Sequence, residues 1–239
     1  MIDYDRVALE YGRHRQVHPE VLRVLVSTSG VGSTSKALEV GCGTGNYVIA
    51  LEALAHCSCW GVDPSAQMLS RAKERSTRIS FQVGKAERLD FPPDFFDLVF
   101  SVDVIHHLDD RPAYFQEAYR VLRAGGKVCT VTDSEWIIRH RQPLAVYFPE
   151  SVEIELGRYP RIARLRATME RVGFREIVES TVEFPHQLTD MQTYRDRAFS
   201  SLHLLPEEAF QRGIERMDRA LRTGPISCVP RYLLLWGTE

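Results

Sequence analysis

The stretch ALEVGCGTGN at residues 37–46 constrains the fold more than any other part of the chain. Its first four residues predict a short buried strand, which the charge of Glu39 interrupts. Residues 47–54 then continue with helical character, and the turn between strand and helix carries three glycines at alternate positions: Gly41, Gly43 and Gly45. A strand, a glycine-rich turn and a helix form a nucleotide cradle, because glycines let the backbone approach a ligand and the N–H groups at the helix start point towards it.

A second acidic residue follows at a spacing that is typical of adenosine sites. Residues 57–62 predict the next strand, and Asp63 lies at its carboxyl end. An acid about 20 residues beyond the glycines can bond the two ribose hydroxyls of an adenosine ligand. Asn46 stands where the dinucleotide fingerprint has its third glycine, which argues against a nicotinamide or flavin site.

The pattern E-x-G-x-G-x-G at 39–45, followed by GVDP at 61–64, resembles the class I S-adenosylmethionine-dependent methyltransferases. Within that family the chain looks most like the small-molecule branch of the ubiquinone and menaquinone methyltransferase type. The resemblance covers residues 36–132 closely. It implies an α/β fold with a doubly wound, seven-stranded, mostly parallel sheet. It also implies S-adenosyl-L-methionine as cofactor, S-adenosyl-L-homocysteine as product and a small-molecule methyl acceptor.

The resemblance also implies which residues hold the cofactor. The sequence GKAE at 84–87 matches a family loop that binds adenine and is usually written Gly-Asp-Ala-Glu. Lys85 replaces the aspartate and cannot accept a hydrogen bond, so backbone groups at Ala86, or Glu87, would have to contact adenine. The full expected set is Tyr11, Arg15, Glu39, Gly41, Gly43, Asn46, Asp63, Pro64, Met68, Lys85, Ala86, Glu87, Ser101, Val102 and His106.

Residues 4–26 have the apolar spacing of an amphipathic helix. Ala8, Tyr11 and Arg15 match the family pattern Ala-x-x-Tyr-x-x-x-Arg, which implies a segment that closes over the cofactor. The alternative is a helix that only packs on the edge of the domain. The residues leave both interpretations open.

Three histidines are the candidates for a general base. His106 and His107 follow the fourth predicted strand, 95–103, whose carboxyl end should meet the sulfonium; His140 lies further along the chain. A histidine after this strand could instead only hold the cofactor loop. The chain has no Asp/Asn-Pro-Pro-Tyr motif here, which argues against a nucleobase amine as acceptor. Five cysteines without Cys-x-x-Cys spacing argue against a metal site.

The alternation of strands and helices predicts a parallel sheet with helices on both faces. Residues 232–236 would form the last strand, the antiparallel one that ends such sheets. We expect one methyltransferase domain over 1–239, with a helical lead-in at 1–30, a cofactor-binding core at 36–132, and insertions at 134–160 and 185–230. The insertions should form a lid that selects the acceptor. Five rings could line its pocket or merely pack the insertions onto the core: Trp136, Tyr147, Phe148, Phe199 and Phe210.

Composition sets limits on the partners. A formal net charge of −2 gives no general attraction to nucleic acid or acidic membranes. The start of the chain is too polar for a secretory signal, and no apolar run is long enough to span a membrane, so the expected location is cytoplasmic. We expect a monomer or a homodimer. Three alternatives stay open: a nicotinamide-dependent oxidoreductase, a non-catalytic S-adenosylmethionine-binding protein, and a methyltransferase acting on RNA or protein.

Overall fold

A computed structural model describes residues 17–239 of the chain, so Tyr11 and Arg15 lie outside the described residues. The first helix, α1, spans Pro19–Ser29. It begins at Pro19 because the ring of Pro19 presets the helical backbone angle and the His18 side chain accepts a hydrogen bond from the Val21 N–H. It ends where Gly30 adopts φ 71°. This helix covers part of the segment expected to be helical at 4–26 and continues to Ser29, whereas residues 4–16 of that segment lie outside the described residues.

The main sheet contains seven strands and the insertions add a two-stranded ribbon. The strands are β1 (Lys36–Val40), β2 (Ser58–Asp63), β3 (Ser80–Val83), β4 (Phe96–Val102), β5 (Leu122–Thr132), β6 (Arg175–Glu183), β7 (His186–Leu188), β8 (Ile226–Cys228) and β9 (Arg231–Thr238). The order in the main sheet is β3-β2-β1-β4-β5-β9-β6, and β7 pairs with β8.

Strand β9 is antiparallel to both of its neighbours, as the sequence predicts. It lies between β5 and β6, however, so the sheet ends at β6 and not at the last strand of the chain. The strand is apolar on both faces from Leu233 to Trp236, which suits an inner strand with helices above and below.

Ten α-helices within residues 17–239 connect the strands. They are α1, α2 (Asn46–Ala55), α3 (Ala66–Arg75), α4 (Arg111–Val121), α5 (Glu135–His140), α6 (Leu144–Tyr147), α7 (Glu150–Arg158), α8 (Ile162–Val172), α9 (Gln192–Arg195) and α10 (Glu207–Thr223). Single 3₁₀ turns occur at Ile105–His107 and Ser200–His203.

The helices cover both faces of the sheet. Helices α1, α2 and α3 contribute buried apolar side chains to one core, which includes Ala37 of β1. Helices α4 and α8 contribute to a second core, which includes Leu38 and Val40 of the same strand. Alternate residues of one strand thus face opposite helical layers. This is the doubly wound α/β architecture that the sequence predicts.

The two insertions share a third core of their own. Helices α6, α9 and α10 pack around the fully buried ring of Phe148, and Phe210 joins the same cluster. A Cβ atom at Gly213 of α10 would lie 2.2 Å from the Phe148 ring, so the helix approaches that ring closely. Phe148 and Phe210 therefore pack the insertions together.

Candidate functional site

Two cavities open along the carboxyl edge of the sheet. The larger, the glycine-loop cavity, has a volume of about 610 Å³ and lies beyond the ends of β1, β2 and β4. The smaller, the insertion cavity, has a volume of about 210 Å³ and lies between that edge and the insertions. Ligands of open α/β sheets bind at this edge, where the strand order reverses. Here β1 and β4 are the neighbours at the reversal.

Glycines shape the floor of the glycine-loop cavity. Gly41 has φ 71°, and a Cβ atom there would lie 2.4 Å from Cγ2 of Val104. Gly43 has φ 53°, lines the cavity, and has no heavy atom within 4 Å of the position a Cβ would take. Because Gly41 has no side chain, Val104 in the segment after β4 can pack directly on the glycine turn. Gly43 also has no side chain, which leaves open space next to its backbone.

Asp63 connects the two turns that enclose this cavity. Its Oδ2 atom accepts a hydrogen bond from the Gly43 N–H over 2.8 Å, and its Oδ1 atom accepts one from the Ser65 N–H over 2.9 Å. Asp63 is buried yet lines the cavity. Each carboxylate oxygen can accept more than one hydrogen bond.

Most of the residues expected around the cofactor line the glycine-loop cavity. Met68 reaches it from the first turn of α3, which Ser65 caps by accepting from the Met68 N–H over 3.2 Å. Ala86 is buried beside it, and Lys85 is exposed at its rim. The expected residues that line the cavity are Gly41, Gly43, Asp63, Pro64, Met68, Lys85, Ala86, Glu87 and Val102.

Four other residues of the expected set lie outside this lining among the residues described, and each has another role. Asn46, at the start of α2, bonds to Arg75 of α3. Ser101 is fully buried and accepts a hydrogen bond from the Tyr114 hydroxyl over 3.1 Å. His106 contacts the His107 ring, with centroids 3.9 Å apart, and Glu39 is only 3% exposed. These four side chains therefore lie outside the lining of the glycine-loop cavity, and their assignment to the cofactor stays a prediction.

Glu39 stabilises the start of α2. Its Oε2 atom accepts a hydrogen bond from the Val48 N–H over 2.8 Å. Burial raises the pKa of this carboxyl well above its usual range; the Val48 N–H opposes the shift, and the charge of Asp63 adds to it. Glu39 thus contacts the first turn of α2, which explains why an acidic residue occurs within the buried strand β1.

The three candidate histidines occupy different surroundings. His107 lines the glycine-loop cavity. The His106 ring is stacked on the Tyr159 ring, with centroids 4.1 Å apart, and Tyr159 in turn lines the insertion cavity. His140 is exposed, stacks on Trp136 and contacts the Trp136 carbonyl over 2.8 Å. Of the three histidines, His107 alone is part of the lining of either of these two cavities.

Asp103 lines both cavities. It follows β4 directly, with φ 57°, and its N–H donates to the Val131 carbonyl of β5 over 3.0 Å. Left-handed backbone is uncommon outside glycine, although aspartate tolerates it better than most residues. The turn at Asp103 places this residue where it can line both cavities. Sequence analysis included Asp103 as the end of a strand but did not assign it to the site.

A network of buried charges forms one wall of the insertion cavity. Arg141 pairs with Asp133, which follows β5, and its Nη1 atom lies 3.6 Å from Glu155 Oε2. Arg158 donates to Glu155 Oε1 over 2.9 Å and to Ser200 Oγ over 3.2 Å. Burial raises the pKa of Glu155, whereas the charges of Arg141 and Arg158 lower it. The network connects the sheet edge to α7 and to the Ser200–His203 turn.

The apolar wall of the insertion cavity comes from both insertions: Leu144, Leu188, Tyr194 and Phe199. Of the five rings that the sequence offered for this role, only Phe199 lines it. Trp136 is 55% exposed and lies under the Arg231 guanidinium. Tyr147 packs at the edge of the insertion core.

Residues 17–239 contain no cluster of three or more metal-ligating side chains. No helix in the same range is both long and apolar enough to cross a membrane.

The chain is similar to known methyltransferases over its core. Residues 38–130 match the family described as Methyltransferase domain. Phosphoethanolamine N-methyltransferase 3 of Arabidopsis thaliana is 32% identical over 124 residues, which are 45% of this chain and 25% of the relative. The chain spans about one quarter of the length of the curated relatives it matches first.

Solved structures resemble the chain over nearly its whole length. A protein of Anabaena variabilis ATCC 29413, ascribed to an antibiotic biosynthesis pathway as a methyltransferase, aligns with a TM-score of 0.71 at 22% identity, over 94% of this chain and 99% of its own. Phosphoethanolamine N-methyltransferase 2 of Haemonchus contortus, in complex with phosphomonomethylethanolamine and S-adenosylhomocysteine, aligns with a TM-score of 0.60 at 20% identity, over 92% of this chain and 53% of its own. At this identity the likeness shows the fold alone.

The matched domain at 38–130 contains β1 to β5, the glycine turn and Asp63, which are the elements that enclose the larger cavity. The rest of the chain extends the same sheet. The antiparallel strand β9 pairs with β5, and β6 pairs with β9 at the edge of the sheet. Residues 38–130 are therefore similar to a methyltransferase domain, and the chain shares its fold with solved methyltransferase structures.

Proposed function

We propose that the protein transfers a methyl group from S-adenosylmethionine to a small-molecule acceptor by in-line displacement. One observation carries the proposal: the glycine-loop cavity and the insertion cavity share Asp103. A transferase of this kind must hold a cofactor and an acceptor so that they meet at one point. Holding reacting atoms about 3 to 3.5 Å apart and in line supplies several kcal/mol of the barrier as orientation alone.

The residues of the glycine-loop cavity fit S-adenosylmethionine. The open space against Gly43 admits a ligand close to the backbone, and Asp63 can accept from ribose hydroxyls while it still bonds the Gly43 and Ser65 N–H groups. Adenine would lie against Ala86 and Met68. When bound, the cofactor supplies an electrophilic methyl group on a positively charged sulfur.

The charge of the same cavity distinguishes this cofactor from a dinucleotide. The lining includes one basic side chain, Lys85, and five acidic ones: Asp63, Glu87, Asp103, Asp109 and Asp110. S-adenosylmethionine brings a sulfonium and an ammonium, which carboxylates stabilise. A nicotinamide dinucleotide brings a pyrophosphate, which carboxylates repel. The acidic lining therefore favours the sulfonium cofactor.

The acceptor should be small and should enter from the insertions. The insertion cavity, at about 210 Å³, is below the roughly 300–1,000 Å³ of pockets for drug-sized ligands. Asp103 and His107 stand nearest the cofactor side, where they can orient the accepting atom or take its proton. Phosphoethanolamine, the substrate in the name of the Arabidopsis relative, shows that acceptors of this size occur among similar proteins.

A free small molecule also agrees with the net charge of −2, which offers no general attraction to RNA. We propose that the protein works in the cytoplasm, as a monomer or a homodimer, with residues 134–160 and 185–230 acting as the acceptor-selecting part.

The proposed function is tested by incubating the purified protein with methyl-labelled S-adenosylmethionine and a metabolite extract. We expect label to appear in a compound of low molecular mass, identified by mass spectrometry. Tight cofactor binding with no label in any compound would contradict transferase activity and favour a non-catalytic binding protein. Label in added RNA or protein, with none in the extract, would contradict the small-molecule acceptor.

A further inference from the structure

Residues 85–88 form a tight turn after β3. The Arg88 N–H donates to the Lys85 carbonyl over 3.2 Å, so Ala86 and Glu87 occupy the two central positions of the turn. Both central residues line the glycine-loop cavity, and Ala86 is only 6% exposed. The adenine of the proposed cofactor would therefore meet this turn.

The side chains of the 85–88 turn offer few hydrogen-bond acceptors to adenine. Lys85 carries only donors and Ala86 has no polar side-chain atom, which leaves Glu87 and the backbone. A backbone group can distinguish one base from another only if its peptide is held at a fixed position and angle. Recognition at this turn therefore depends on the contacts that fix its two ends.

The first end of the turn is fixed by the sheet. Val83 of β3 pairs with Asp63 of β2, and the N–H of the next residue, Gly84, donates to the Asp63 carbonyl over 3.2 Å. A Cβ atom at Gly84 would lie 3.0 Å from Cγ1 of Val62, so the two strands remain in close contact where the turn begins.

The second end of the turn is held by two charged side chains of α4, those of Glu117 and Arg120. The Oε2 atom of Glu117 accepts a hydrogen bond from the Leu89 N–H over 2.7 Å. Arg120 donates to the Leu89 carbonyl through Nη2 and to the Phe91 carbonyl through Nη1, each over 2.8 Å. The peptide groups on both sides of Leu89 are therefore bound to side chains of one helix.

The two side chains also hold each other. Arg120 donates to Glu117 through two bonds, from Nε to Oε1 over 2.7 Å and from Nη2 to Oε2 over 2.8 Å. The hydrogen bonds from Arg120 hold the pKa of the Glu117 carboxyl below its usual value, so both groups are charged at neutral pH. Surface ion pairs usually contribute little, but this pair is bidentate and binds three backbone groups as well.

We propose that Glu117 and Arg120 are positioning residues for the adenine of the cofactor. By holding Leu89 they fix the 85–88 turn, so that the turn binds adenine and rejects a base with the opposite hydrogen-bond pattern. This inference rests on the proposed function, and on its cofactor in particular. Neither of the two side chains is part of the lining of the glycine-loop cavity, so both act through the turn.

Hypoxanthine is the base with the opposite pattern. It has an acceptor oxygen where adenine has a donor amino group, and a donor N–H at position 1 where adenine has an acceptor. A site built to hydrogen-bond one pattern rejects the other, because its polar groups would be left unpaired. A turn released from Glu117 and Arg120 could adjust to either base and would lose this selectivity.

The test compares S-adenosylhomocysteine with S-inosylhomocysteine, which carries hypoxanthine in place of adenine. Calorimetry on the full-length protein gives the two dissociation constants, and their ratio is the selectivity. We expect the natural protein to prefer adenine about tenfold or more, and Arg120→Met to lower this selectivity about fivefold or more. Partial unfolding raises both apparent dissociation constants by the same factor, so a purely structural role would leave the ratio unchanged.

Arg166→Met is the matched control. The side chains of Arg166 and Arg120 are both 36% exposed. Arg166, on α8, also bonds a backbone carbonyl and a glutamate, the Ile177 carbonyl over 2.6 Å and Glu179 over 2.7 Å. The selectivity should stay unchanged in this variant.

Arg120→Lys tests the geometry of the guanidinium group, since lysine keeps the charge but cannot form the bidentate pair. Its selectivity should fall between those of the natural protein and Arg120→Met, and it replaces Arg120→Met in the comparison if that variant does not fold. Full selectivity in the Arg120 variants, or an equal loss in Arg166→Met, would overturn the inference. Equal affinity of the natural protein for the two ligands would also overturn it, with cofactor binding retained. Binding of neither ligand by the natural protein would contradict the proposed function itself.

Discussion

The Oδ2 atom of Asp63 accepts a hydrogen bond from the backbone N–H of Gly43 over 2.8 Å. This bond ties the end of β2 to the glycine turn after β1, on the edge of the glycine-loop cavity. The residue expected to bind the ribose therefore also holds the turn against which the cofactor is proposed to bind. Loss of the carboxylate should weaken binding in two ways: through the ribose contacts and through the shape of the turn.

Asp63→Asn should weaken binding of S-adenosylhomocysteine by about tenfold or more, because a charge-assisted hydrogen bond contributes about 1.5–3 kcal/mol. Isothermal calorimetry measures the effect. The matched control is Asp97→Asn, since Asp97 also accepts a backbone hydrogen bond from a neighbouring strand, from the Lys36 N–H over 2.7 Å, but at the amino end of the sheet. Equal losses in the two variants would mean that the effect is general and not a property of the site.

Gly43→Ala places a methyl group in the open space of the glycine-loop cavity. Gly125→Ala is its control, because Gly125 also has positive φ, 75°, and no heavy atom within 4 Å of a Cβ. Both changes should lower the free energy of unfolding by roughly 1–2 kcal/mol, the penalty of left-handed backbone. Only Gly43→Ala should weaken cofactor binding, by about tenfold. Retained affinity in Gly43→Ala would show that the ligand does not approach this turn.

Asp103→Asn tests the residue shared by the two cavities. Asparagine tolerates the left-handed backbone, so the turn at φ 57° should survive. We expect methyl transfer to fall roughly tenfold to 100-fold, while affinity for S-adenosylhomocysteine changes little. Single-turnover assays with the labelled cofactor measure the first quantity and calorimetry the second. Full turnover in Asp103→Asn would show that Asp103 does not act on the acceptor.

Phe199→Ala and Phe148→Ala distinguish the acceptor wall from the insertion core. Phe199 lines the insertion cavity, whereas Phe148 is fully buried among the helices of the insertions. Phe148→Ala should lower the free energy of unfolding by about 3–5 kcal/mol, the usual effect of removing a buried phenyl ring. Phe199→Ala should reduce acceptor turnover at nearly unchanged stability. Chemical denaturation measures the stability of both variants, and acceptor assays measure their turnover. A large loss of stability in Phe199→Ala, with reduced turnover at unchanged stability in Phe148→Ala, would contradict this assignment.

Glu39→Gln should change how stability depends on pH. Burial raises the pKa of Glu39 in the folded protein well above its usual range, and the unfolded value is about 4.3. The stability that the protonated form contributes is present below the unfolded pKa and is lost as pH rises through the folded pKa. Glutamine can still accept from the Val48 N–H but does not ionise.

The variant should therefore become more stable relative to the natural protein as pH rises from about 5 to about 8. Denaturation curves at several pH values measure this difference. A constant difference over that range would contradict a raised pKa at Glu39.

The parts of the site that follow from the sequence lie in single turns between a strand and a helix. The glycines after β1 and Asp63 at the end of β2 could be predicted because each has its own local requirement, in backbone angle or in spacing. Parallel strands then bring those turns to the same edge. The seven-stranded sheet follows from the same local alternation.

The acceptor side could not be assigned in this way, because it depends on contacts between distant segments. Asp133, Arg141 and Glu155 form one wall only after the helices of the first insertion fold back onto the end of β5. Aromatic residues gave a misleading signal, since Phe148 serves the insertion core and Trp136 stays exposed. The contact between Glu39 and the Val48 N–H could not be predicted for a related reason, because a backbone group leaves no mark in the side-chain pattern.

A crystal structure of the full-length protein with S-adenosylhomocysteine is the most direct measurement of the central claim. We predict that the ligand occupies the glycine-loop cavity, with both ribose hydroxyls within hydrogen-bond distance of the Asp63 carboxylate and the sulfur towards Asp103 and the insertion cavity. A ligand bound elsewhere, or bound with its sulfur pointing away from Asp103, would contradict the account.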